Sequence, residues 1–99
     1  MNYEELSDFE INKLVVAMFL GVEPRSTWIP ALIPDYCNDP EHAWPIIVEN
    51  KIDIEFPHEE TNQVGFASNH LLGIVEEIMP NENPLRAAMI VYLMIQGVK

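Results

Sequence analysis

The sequence predicts a single α+β domain over residues 1–99. A small antiparallel sheet of two or three strands packs with three helices, in the order α-α-β-β-(β)-α. Three observations carry this. Ser7-Asp8-Phe9-Glu10 opens a segment with apolar residues at helical spacing, the mark of a capped amphipathic helix. Ile52-Asp53-Ile54-Glu55-Phe56 alternates strictly, as a half-buried strand does. Asn83-Pro84 opens a third helical stretch, running to Gln96, with almost no polar face beyond Arg86 and Gln96. A chain of 99 residues buries ~60–65% of its unfolded surface, enough for one modest core.

The first helix is bounded at both ends. Ser7 is its N-cap, Glu10 reaches back from the third position, and Leu6 with Ile11 is placed as a hydrophobic staple. Ile11, Leu14, Val15 and Met18 form the expected buried face, and Gly21 supplies the stop. Val16, Ala17, Phe19 and Leu20 make the last turn apolar on all sides. Val22–Asn38 is irregular because Pro24, Pro30 and Pro34 forbid a regular element. It still carries Trp28, Ile29, Leu32, Ile33 and Tyr36. A loop this apolar either packs over the core or offers a partner surface.

The second helix runs from Pro40, capped by Asp39, to about Asn50. Pro45 within it removes the bond to the Glu41 carbonyl and predicts a kink. Ala43, Trp44, Ile47 and Val48 form the expected buried stripe, and Lys51 suits the negative end of the helix dipole. The strand Ile52–Phe56 follows, then a polar turn over Pro57–Gln63. Val64–Ser68 reads as a second strand, with Gly65 a weak point in it. Asn69–Met79 is ambiguous from its residues. Leu71, Ile74, Val75 and Ile78 fit a helix, although Gly73 weakens it.

Three segments together resemble the NinX-like proteins of lambdoid phages. They are Tyr3–Leu14, Asp35–Ile52 with Trp44-Pro45-Ile46-Ile47 at its centre, and Asn83–Gln96. They cover roughly half of the chain, whereas Arg25–Pro34 and Pro57–Met79 depart from the pattern. The resemblance implies a small phage or prophage protein, folded as a helix–sheet–helix unit and acting in the cytoplasm of a bacterial host. It favours a hairpin turn near His70–Gly73 and a third strand over Ile74–Met79. It implies no catalytic residues.

Composition narrows the function further. Sixteen acidic residues against five basic ones give a net charge of −11. Nucleic-acid backbones and anionic membranes are disfavoured partners, since both are held largely by Lys and Arg. A basic protein surface is favoured. The single cysteine, Cys37, excludes an internal disulfide and fits a reducing compartment. The opening residues are acidic and do not read as a signal peptide, and the longest apolar run, Ala87–Ile95, is too short to span a bilayer.

No phosphate loop, dinucleotide fingerprint, nucleophile elbow or zinc-helix pattern is present. His58-Glu59-Glu60, and Cys37 with Asp39 and His42, are possible ligand groups without a recognised spacing. A solvated turn, a helix cap and a packed thiol explain them more simply. The carboxylates of Glu76-Glu77 and Glu4-Glu5 are adjacent and diverge, so neither pair suits acid–base work.

The expected function is therefore non-enzymatic, without cofactor or metal. The protein would bind a host or phage protein and modulate a host process such as defence or nucleic-acid metabolism, nucleic-acid mimicry being one variant. Trp28, Ile29, Tyr36 and Arg86 are the candidate partner-binding residues, and Arg86 equally suits an internal ion pair. The alternative is a small-ligand or metal-binding protein with the 22–38 loop as a lid. Trp44 reads as core at helical spacing. The two apolar faces of the third helix exceed what one sheet face covers, which predicts a homodimer.

Overall fold

Helix α1 (Asp8–Leu20) begins at a reciprocal cap in the computed structural model, which describes residues 2–25 and 27–98. The Ser7 hydroxyl accepts from the Glu10 N–H at 3.1 Å, and the Glu10 carboxylate accepts from the Ser7 N–H at 3.1 Å. Gly21 ends the helix at φ +66°, a left-handed geometry that glycine adopts without strain. Ile11 and Val15 are fully buried and Leu14 packs against the core. Met18, expected on that face, is exposed. Asn12 and Ala17 complete the buried face instead, because the following loop folds back over Asn12. Its amide donates to Asp35 at 2.9 Å and its carbonyl oxygen accepts from the Cys37 N–H at 3.1 Å.

That clamp divides the loop. Tyr36 and Cys37 belong to the core, with Phe19 placed between the rings of Tyr36 and Tyr92 at 6.1 and 5.9 Å. Ile29 and Leu32, around a 3-10 turn at Pro30–Leu32, remain exposed.

Helix α2 (Pro40–Glu49) is capped by the Asp39 carboxylate, which accepts from the Glu41 N–H at 3.0 Å. It runs unbroken through Pro45. Pro45 and Glu41 are both exposed, so water can satisfy the carbonyl that lacks its partner. The buried stripe is Ala43, Ile46 and Ile47, not the expected Ala43, Trp44, Ile47 and Val48. Spacings of three and four residues centre the core-facing side on Ile46 and Ile47. Trp44 and Val48 lie off that stripe and face solvent.

A Schellman turn ends α2. The Ile52 N–H reaches the Ile47 carbonyl at 3.0 Å, the Lys51 N–H reaches Val48 at 3.4 Å, and Lys51 takes the left-handed position at φ +54°. The turn delivers the chain into a meander of β1 (Asp53–Glu55), β2 (Gly65–Asn69) and β3 (Ile74–Ile78), in spatial order β1-β2-β3. Both pairings are antiparallel, with Ile54 opposite Ala67 and Ala67 opposite Glu76. The ambiguous segment is thus a hairpin and a third strand. Asn69 holds its turn, accepting from the Leu72 N–H at 2.9 Å while donating to the Asn50 carbonyl at 2.9 Å.

Gly65 is a requirement of the sheet rather than a weak point. A Cβ there would fall on the Glu55 carbonyl oxygen and within 2.6 Å of the Pro57 nitrogen.

Helix α3 (Pro84–Val98) is the centre of the molecule. Asn83 caps it, accepting from the Leu85 N–H at 2.9 Å. It contacts β2, β3, α1 and α2, and every residue from Ala87 to Leu93 is buried, as is Ile95. Both apolar faces are therefore covered within one chain. The uncovered helix face from which a homodimer was expected does not exist, because α1 and α2 close the side that the sheet leaves open.

Candidate functional site

Two concavities stand out, and they differ in chemistry. The larger, about 650 Å³, lies among the N-terminal segment, β3 and the start of α3, and carboxylates dominate its wall. The inward register of β3 creates it. Ile74, Glu76 and Ile78 point to the same side, so the apolar period of the strand delivers one carboxyl into the interior. Glu76 is only 7% exposed. Burial, a hydrogen bond with the Glu4 carboxyl, and the charges of Glu4 and Glu82 push its pKa up to about 7. The pairing of Glu76 with Glu4 is long-range, and alternation of Ile74, Glu76 and Ile78 is the sequence signal that could have revealed the inward carboxyl.

Arg86 is the cation in this wall, and both of its Nη atoms are engaged within the chain. Nη1 pairs with Asp8 at 2.7 Å, while Nη2 donates to the carbonyls of Leu6 at 2.6 Å and Glu4 at 3.2 Å. The guanidinium ties the N-terminal 3-10 turn (Tyr3–Glu5) and the first turn of α1 to the first turn of α3. Five carboxylates, from Glu4, Asp8, Glu76, Glu77 and Glu82, surround that one cation, so the cavity repels anionic ligands. Among the described residues no three His, Cys, Asp or Glu side chains are arranged to hold a metal ion.

The second concavity is a groove of about 530 Å³ between α2, β1 and the β2–β3 turn. Trp44 and Val48 come from the solvent side of α2, Ile54 and Phe56 from β1 and its exit, and Leu71 from the turn. Trp44 is 61% exposed, Phe56 63% and Leu71 87%. The alternation of Ile52, Ile54 and Phe56 is real in β1, but burial falls along it from Ile52 to Phe56 as the strand leaves the core.

The four candidate residues do not form one site. Tyr36 is in the core and Arg86 is in the carboxylate cavity. Trp28 is half-buried and Ile29 exposed on the loop, and neither lines the cavity or the groove. Cys37 is buried, with its thiol against the Asp8 carbonyl at 3.8 Å. Burial first, and then the Asp8 charge, push its pKa up to about 12, so it stays a thiol at neutral pH. His42 lies 3.6 Å from Asp39 at the surface. Among the described residues no helix is long and apolar enough to cross a membrane.

A family model described as "Bacteriophage P22, NinX" matches residues 2–96. No curated protein and no solved structure is similar enough to match the chain.

Proposed function

The chain belongs to the NinX family of bacteriophage proteins, and we propose that it is a non-enzymatic accessory protein that binds a host or phage protein in the host cytoplasm. The supporting observation is the exposed aromatic groove on a molecule of net charge −11. Large apolar side chains left in water beside a closed core are typical of interfaces. The surplus of carboxylates favours encounter with a basic protein surface and opposes nucleic acid. The partner is thus a protein with a basic face. Its capture interferes with a host process, of which defence and nucleic-acid metabolism are the candidates.

The test is affinity capture from host lysate beside an unrelated monomeric protein of matched net charge. The reading expects a basic protein retained at low salt by this chain and not by the control. Retention of the same set by both proteins, or of nothing, would contradict it.

A further inference from the structure

We propose that the free edge of β1 receives an extended segment of the partner protein as an added strand, whose alternate side chains are apolar and lie in the groove beside α2. The inference rests on the protein-binding reading above and gives it a binding mode. Two observations carry it. First, β1 is an edge of the sheet, and among the described residues the backbone of Asp53–Glu55 makes no hydrogen bond beyond its pairing with β2. The outward N–H and C=O groups of that edge are a template for another strand. Second, the groove borders this edge. Its lining includes Ile52, Ile54 and Phe56 but no residue of β2, so it lies on the side of β1 away from the rest of the sheet. β3, the other edge, borders the carboxylate cavity instead, where an apolar side chain gains less.

The pleat of β1 sets the chemistry of the added strand. Ile52, Ile54 and Phe56 share one side of the chain, and Asp53 and Glu55 share the other. Every second side chain of the added strand falls beside the first set, against the exposed Trp44, Phe56 and Leu71, and is therefore apolar. The side chains between them fall beside Asp53 and Glu55, both exposed, which exclude carboxylates there. A second copy of this chain fails that condition. A two-fold antiparallel pairing of β1 with itself keeps like faces together, so every register within β1 sets carboxylate opposite carboxylate. β1 is only three residues long. Backbone bonds alone hold a segment weakly there, and the groove supplies the remaining affinity.

The experiment pans a random library of linear peptides against the full chain, then follows amide hydrogen exchange by NMR with each selected peptide bound. The proposal expects peptides with bulky apolar residues at every second position and no Asp or Glu between them. An amide of Asp53–Glu55 that exchanges readily in the free protein should slow about tenfold or more in the complex. Trp44→Glu and Phe56→Glu should each weaken binding about tenfold or more at an unchanged melting temperature. Glu60→Gln, in the polar turn, should leave binding unchanged.

Apolar residues at helical spacing in the selected peptides, binding without slower exchange in β1, or no selected peptide at all would overturn the proposal. Slower exchange in β1 that rises with protein concentration and needs no peptide would make a second copy the occupant and overturn it too. The affinity capture described above separates this from the broader reading. A basic protein retained there while the β1 edge stays unprotected removes the edge alone, whereas nothing retained removes protein binding as well.

Discussion

Glu76 is a carboxyl placed where the fold prefers an apolar side chain. Its pKa rises from 4.5 to about 7, chiefly through burial and then through its bond to Glu4. Below pH 4.5 it is protonated in both the folded and unfolded states, and its contribution to stability is intact. Between pH 4.5 and about 7 the unfolded chain releases its proton first, so stability falls as pH rises through that window. Replacing Glu76 with Gln should remove this part of the pH dependence. Glu76→Gln is expected to melt higher than the wild type at pH 8 and to differ little at pH 4. Equal melting temperatures at both pH values would show that the carboxyl is not strained by its surroundings. Gly65 makes the opposite demand, for no side chain at all. The Cβ of Gly65→Ala would meet the Glu55 carbonyl and the Pro57 nitrogen, which are backbone atoms with little room to yield. The expected cost is about 3 kcal/mol or more, read from the urea unfolding midpoint; a loss below about 1 kcal/mol would contradict the close approach.

Among the elements, helix ends were legible in the sequence and helix faces less so. Ser7, Glu10, Gly21, Asp39 and Asn83 each act where their local chemistry places them, because a cap is decided within a few residues. Which face of α2 is buried depends on where α3 lies, and that contact is remote in sequence. Both Trp44-Ile47 and Ala43-Ile47 keep helical spacing, and only packing chooses between them. Asn12 was missed for the same reason, since its partners lie 23 and 25 residues away. The groove was not legible at all, as it joins α2, β1 and the β2–β3 turn. Lys51 is a further case, a left-handed C-terminal residue without the glycine that such a position favours. Lys51→Gly should stabilise the protein by about 0.5–1 kcal/mol by relieving that strain, less what glycine adds to the unfolded state. Urea unfolding reads it, and destabilisation would mean that the Lys51 side chain contributes more than its backbone costs.

The whole molecule is a core closed around α3 with a strongly acidic surface. Arg86, one of only five Lys and Arg residues, is occupied by Asp8 and backbone carbonyls. No duplex DNA binding is expected at physiological salt, because too few cations remain to displace counterions. A band shift at micromolar protein that weakens with salt would contradict this. The third helix needs no second subunit, and the protein-binding reading rests on the exposed groove beside α2, which makes Trp44 the residue on which the account turns. As a displayed side chain it should tolerate a charge; as a core residue it would not. The direct measurement is the urea unfolding free energy of Trp44→Glu. The account predicts a value within about 0.5 kcal/mol of the wild type, as for an exposed position. A loss of about 3 kcal/mol or more, the scale of removing a buried Trp, would place Trp44 in the core and contradict it.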